Sequence, residues 1–219
     1  MPTVLLIRHG LTAQTGPVLT GWTPGVPLDA RGQGQAERTA ARLAPLPLDA
    51  VVSSPLQRCE ETARAVLKGR TLGLETDERF GEVHYGDWTG GKLAELAEDP
   101  LWKVVQAHPS AVTFPGGESL AAAQLRAVQA IREWNARLGP DAVYAVCSHG
   151  DIIKAVAADA LGLHLDQFQR IQVDPASVTV IRYTELRPFL VRLNDTGGGV
   201  EGLVPPNPGS GDAPVGGGA

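Results

Sequence analysis

The chain has 219 residues, which fits one sizeable domain better than two. Hydrophobic residues make up 43% and charged residues 20%, ordinary values for a globular protein, and no run of about 18 apolar residues suggests a membrane span. The net charge of -5 comes without a basic block that could track a nucleic-acid backbone, so neither nucleic acid nor membrane is an expected partner.

In chain order, Val4-Leu5-Leu6-Ile7 is a short apolar run that predicts a buried strand. It is too short for a secretory signal and has no basic leader, so a cytoplasmic location is expected. A loop rich in Gly, Pro and Thr follows from about Leu11 to Leu28. Asp29 then reads as the N-cap of a helix toward Leu43, closed by Pro45 and Pro47. Ala50 to Ser53 predicts a second buried strand. Ser54 as cap, Pro55 at the first helical position and Gly69 past the end delimit the next helix. Two shorter helical stretches fall between Lys92 and Ala107. A longer helix runs from Ser119 to Leu138, with Leu125, Val128, Ile131, Trp134 and Leu138 as its core stripe. Val143 to Val146 is another buried strand, followed by a helix from Gly150 that Gly162 terminates. Val178 to Tyr183 and Phe189 to Leu193 read as extended segments. Strands alternating with helices predict an α/β fold around a mostly parallel sheet. From Thr196 onward the chain is Gly- and Pro-rich, which predicts a domain over 1–195 and a disordered tail over 196–219. Cys59 and Cys147 match no zinc spacing and no disulfide framework, so both are expected to be reduced.

Two apolar strands end abruptly in His-Gly: Val4 to Ile7 runs into Arg8-His9-Gly10, and Val143 to Cys147 into Ser148-His149-Gly150. Ligands of open α/β sheets bind beyond the carboxyl ends of the strands, so the two histidines could face one another across a pocket. Arg58, in the first turn of a helix that follows a buried strand, adds a second cation near a helix N-terminus. Two arginines match the roughly -1.5 to -2 charge of a phosphate monoester. Glu82 is the candidate proton donor, with Asp87 the weaker one. A structural role for each histidine and a zinc site are the competing readings; no third ligand stands at convincing spacing, so no metal is expected.

These residues resemble the histidine phosphatase superfamily, which includes cofactor-dependent phosphoglycerate mutase. The resemblance rests on Arg8-His9-Gly10 with Thr12, on Thr20-Gly21-Trp22, and on Ser53-Ser54-Pro55-Leu56-Gln57-Arg58 with Glu61-Thr62. Glu82-Val83-His84-Tyr85-Gly86, Phe114-Pro115-Gly116-Gly117-Glu118-Ser119 and Ser148-His149-Gly150 follow in the family's order, spanning roughly residues 4 to 195. It implies a three-layer α/β/α sandwich, with His9 as nucleophile, Arg8, Arg58 and His149 around the phosphoryl oxygens, and Glu82 as proton donor. It also implies that Thr15, Thr20, Gly21, Tyr85, Gly150 and Asp151 line the substrate side, and that no cofactor is needed. Thr15 departs from the Asn usual in the family.

The resemblance leaves three readings: a phosphatase of a small phosphorylated metabolite, a phosphomutase, and a non-catalytic phospho-ligand binder. Family mutases carry a longer insertion with paired arginines, whereas Lys92 to Thr113 is short and contains Lys103 but no Arg pair, which favours the phosphatase. Trp102 to Pro109 and Ile171 to Pro175 resemble a bacterial subgroup of probable phosphomutases, which keeps the mutase in view. Monomer and homodimer are both open, and the substrate is not legible.

Overall fold

The computed structural model describes residues 1–198. The Val4 to Ile7 run forms the middle of strand β1 (Thr3–Arg8). The other strands are β2 (Ala50–Ser53), β3 (Leu74–Thr76), β4 (Val143–Ser148), β5 (Val178–Tyr183) and β6 (Pro188–Asp195). They make one six-stranded sheet in the order β3-β2-β4-β1-β5-β6. Strands β1, β2, β3 and β4 pair in parallel; β5 points the opposite way, antiparallel to both β1 and β6.

The central strands are apolar at nearly every position because both faces of the sheet are covered. Val4 and Leu6 of β1 enter one core with Val52, Tyr144 and Val146. Helices α5 (Leu120–Leu138) and α6 (Gly150–Leu161) close that side through residues such as Ala127, Ile131, Ile153 and Val156. Leu5 and Ile7 point the other way, with Val51, Ala145 and Cys147. There they meet α1 (Ala30–Leu43) and α2 (Gln57–Leu67) through Leu43, Cys59, Ala63 and Val66. The result is the expected three-layer α/β/α sandwich. Each fully buried Val, Leu or Ile contributes roughly 1.5–3 kcal/mol, so the strands that carry the histidines are also the best-anchored part of the chain.

Local signals place most element ends where expected. Asp29 caps α1 by accepting from the Gly32 N–H at 2.7 Å, and Ser119 caps α5 through the Ala122 N–H. Gly162 ends α6 with a φ of 66°, a left-handed conformation that glycine adopts without penalty. The two short helical stretches are α3 (Leu93–Leu96) and α4 (Pro100–Ala107).

Three expectations need correction. Helix α2 begins at Gln57, with Leu56 at the cap position, so Ser54 and Pro55 lie outside it. The Ser54 hydroxyl accepts from the Leu56 N–H at 3.3 Å, just before the helix, and is also engaged with His149, a residue 95 positions away. Leu125 is 57% exposed, because the buried face of α5 is carried by Leu120, Ala123, Ala127, Ala130, Ile131 and Trp134. Strand β3, three residues at the sheet edge, was not anticipated. The expected tail from Thr196 falls, beyond residue 198, outside the described residues. Among the described residues no helix is long and apolar enough to cross a membrane.

Candidate active site

The register Arg8↔Ser148 sets β1 and β4 side by side, so the next residue of each strand delivers a histidine to the same edge. The His9 N–H donates to the Ser148 carbonyl at 3.0 Å, and the two imidazole rings lie 5.3 Å apart at 62°. The turn after His9 is tight: a Cβ on Gly10 would stand 2.5 Å from the Gly32 carbonyl oxygen of α1.

Hydrogen bonding assigns the His9 tautomer. Nδ1 lies 2.8 Å from the Gly10 carbonyl, which can only accept, so Nδ1 carries the proton. Nε2 is then left with its lone pair, and Arg58 Nε donates to it at 3.3 Å. Burial, then the charges of Arg58 and Arg8, hold the His9 pKa well below its ordinary value. His9 is therefore a neutral imidazole at physiological pH, its lone pair on Nε2.

Arg58 projects from the first turn of α2 into the same space. One of its terminal nitrogens donates to the Gly21 carbonyl at 2.7 Å and to His149 Nδ1 at 3.3 Å. With Nδ1 accepting, Nε2 of His149 donates to the Ser54 hydroxyl at 2.8 Å. Burial and Arg58 likewise lower the His149 pKa. Arg8 is 1% exposed and donates to the Val173 carbonyl at 2.7 Å. Two guanidiniums thus converge on one buried cluster, which suits an anion of about two charges.

Glu82 is 4% exposed, with Oε1 accepting from the Val83 N–H at 2.9 Å and Oε2 3.9 Å from His149 Nδ1. Burial, followed by the neighbouring Asp151 charge, pushes its pKa up to about 7. A carboxyl poised there can donate a proton at neutral pH and take one back. Asp87, the weaker candidate, is exposed, whereas Glu82 is buried.

Of the other expected residues, Gly21, Tyr85, Gly150 and Asp151 adjoin this cluster. Gly21 contributes its carbonyl to Arg58. Tyr85 and Asp151 are buried together, the phenol donating to the carboxylate at 2.8 Å. Gly150 and Asp151 form the first turn of α6 directly after His149. Thr20 sits one residue before Gly21 and is half-buried. The Thr15 hydroxyl is engaged within its own loop, accepting from the Thr12 N–H at 3.0 Å and meeting the Thr12 hydroxyl at 3.0 Å.

Several contributors appear in the sequence only as a cap, as motif members or as a reduced cysteine, with no role at the site read for them. Ser54 orients His149, and Thr62 accepts from the Gly10 N–H at 3.2 Å. The Trp22 indole stacks on His84 and donates to the Glu82 carbonyl. Cys59 lies 3.3 Å from His149 Nε2, but burial pushes its thiol up to about 12, which keeps it neutral. Lys103 is exposed on α4, and Trp88 and Trp102 pack on each other at 6.1 Å. Among the described residues no cluster of three or more His, Cys, Asp or Glu is placed to hold a metal ion.

Comparison with known proteins points to one family. The family model of the histidine phosphatase superfamily (branch 1) matches residues 4–196. Phosphoserine phosphatase 1 of Hydrogenobacter thermophilus is 32% identical over 202 residues, covering 90% of this chain and 93% of the relative. The adenosylcobalamin/alpha-ribazole phosphatase of Escherichia coli is 27% identical over 205 residues, covering 90% and 97%. The solved structure of Bacillus stearothermophilus YhfR superposes with a TM-score of 0.81 at 28% identity, covering 89% and 98%. A match over nearly the whole described chain, with both histidines and both arginines in one buried cluster, leads to a single conclusion: this protein belongs to the histidine phosphatase superfamily.

Proposed function

We propose that the protein is a metal-independent phosphatase of small phosphomonoesters that works through a phosphohistidine on His9. The observation that carries this is the state of His9: neutral, with Nε2 unprotonated and aimed into a cluster formed by Arg8, Arg58, His149 and Glu82.

In the first displacement, Nε2 of His9 attacks phosphorus in line. The N–P bond forms as the ester P–O bond breaks, and Glu82 gives its proton to the departing alkoxide. Arg8, Arg58 and His149 stabilise charge on the three equatorial oxygens. In the second displacement Glu82, now a carboxylate, takes a proton from water. The hydroxide oxygen bonds to phosphorus, the N–P bond breaks, and inorganic phosphate leaves with His9 neutral again. The Asp151 carboxylate beside Tyr85 would face the substrate's alcohol portion together with Thr20, Gly21 and Gly150.

Two features favour hydrolysis over mutase chemistry. The segment between the acid loop and Ser119 is short, and it holds two exposed lysines, Lys92 and Lys103, but no pair of arginines. The full-length relatives above carry names of phosphatases acting on different small phosphate esters. The direct experiment is phosphate release from para-nitrophenyl phosphate and a panel of phosphorylated metabolites, with EDTA throughout, beside a mutase assay on 3-phosphoglycerate. Hydrolysis that survives EDTA supports the proposal. Isomerisation without hydrolysis, or silence in both assays, overturns it.

A further inference from the structure

The Glu82 carboxyl is held through its own main chain: Oε1 accepts from the Val83 N–H, so the carboxyl follows wherever that backbone goes. Residues 81–85 belong to no helix or strand, so their polar groups need donors and acceptors from elsewhere. Two side chains donate to their carbonyls: the Trp22 indole meets the Glu82 carbonyl, and Arg126 makes the larger number of bonds. Arg126 of α5 reaches the Arg79 carbonyl at 2.6 Å and the Gly81 carbonyl at 2.9 Å with one terminal nitrogen. With the other it reaches the Glu82 carbonyl at 2.9 Å.

Glu118 completes the clamp. Its carboxylate accepts from Arg126 at 2.6 and 3.1 Å, and from the His84 N–H at 2.9 Å. Its own N–H donates to the His84 carbonyl at 2.8 Å. A guanidinium and a carboxylate, less than one-fifth exposed, thus replace strand pairing for the segment that carries the acid. Arg126 stands on a helix rooted in the core by Ala123, Ala127 and Ile131, so the anchor is rigid. Phe80, Val83 and Tyr85 are fully buried beside it. The segment therefore stays in the core without Arg126 but loses the fine placement of residues 81 and 82.

We propose that Arg126 is a positioning residue for proton transfer, its planar fork fixing the backbone that aims the Glu82 carboxyl at the leaving oxygen; this rests on the phosphatase reading above. A lysine at this position offers a point charge without the fork and cannot span three carbonyls and a carboxylate together.

The test exploits the fact that only a poor leaving group needs its proton. Values of kcat/KM for phenyl phosphate and dinitrophenyl phosphate report steps up to departure of the alcohol, leaving out hydrolysis of the phosphoenzyme. In Arg126→Met the value for phenyl phosphate should fall by about tenfold to a hundredfold, the range that a misplacement of about 1 Å costs. The dinitrophenyl ester should lose less than about threefold, and inhibition by inorganic phosphate should be unchanged. Arg126→Lys should recover part of the loss. Glu118→Gln, nearly isosteric, should show the same selective loss more weakly, and it serves if Arg126→Met does not fold. An equal loss on both esters, or no loss on either, overturns the proposal. A wild-type protein that hydrolyses neither ester overturns the phosphatase reading itself and this inference with it.

Discussion

Replacing Glu82 by Gln should stabilise the protein at alkaline pH. The carboxyl's ordinary pKa of 4.5 is pushed up to about 7 in the folded chain, first by burial and then by Asp151. Below about pH 4.5 folded and unfolded chains both hold the proton and the group has no effect on stability relative to a neutral isostere. Between about pH 4.5 and 7 the folded chain keeps a proton that the unfolded chain has released, so stability falls as pH rises through that window. Above it, the full penalty of a buried carboxylate is present. A separation of about 2.5 units, at 1.36 kcal/mol per unit, is on the order of 3 kcal/mol. The near-isosteric amide keeps an oxygen for the Val83 N–H and carries no charge, so it removes that penalty. His9 and His149 shift in the opposite direction, but they are present in both proteins and cancel in the difference. Thermal melts of the two proteins should coincide near pH 4. At pH 8 the variant should melt higher, by roughly 6–12 °C for a domain of this size. Coincident melts at pH 8, or a variant that is less stable there, would refute the claim that Glu82 is held protonated by its surroundings.

The same residue sets a kinetic expectation: wild-type kcat/KM should decline as pH rises through about 7, and Glu82→Gln should lose about 10²–10⁴-fold in rate together with that limb of the profile. A variant that keeps both would remove Glu82 from the chemistry. Ser54→Ala leaves a buried His149 N–H facing the Cys59 sulfur, a weak acceptor at 3.3 Å, which should lower stability by about 1–3 kcal/mol in urea titrations; an unchanged midpoint would mean that the hydroxyl does not orient the ring. Gly32→Ala would put a Cβ 2.0 Å from the Leu11 carbonyl oxygen, a backbone atom two residues from His9. A loss of roughly 1–3 kcal/mol or more is expected, with reduced turnover, and wild-type behaviour would contradict the close approach.

The strands that carry His9 and His149 were legible because a strand buried on both faces leaves an unbroken apolar run. The abrupt change to His-Gly then marks where the sheet ends. Helix ends were legible where the cap is local, as at Asp29, Ser119 and Gly162. Ser54 misled by two residues because its hydroxyl does accept from a near neighbour, the Leu56 N–H, but ahead of the helix, and nothing local shows that it also meets His149. Leu125 misled because a large apolar residue outweighs alanine in any stripe, yet close approach of α5 to the sheet favours Ala123, Ala127 and Ala130. The reversal of β5 depends on tertiary pairing and leaves no local trace. Arg126 had no signature at all: in sequence it is one more arginine on an amphipathic helix, and only the carbonyls it meets distinguish it.

The central claim concerns the covalent intermediate, and rapid quenching tests it most directly. Enzyme mixed with a radiolabelled phosphomonoester, quenched in alkali and digested, should yield an acid-labile, alkali-stable label on the peptide that contains His9. His9→Ala should carry no label and retain no more than a trace of turnover. Wild-type turnover with no label on His9, or a His9→Ala variant that still hydrolyses its substrate, would contradict the account.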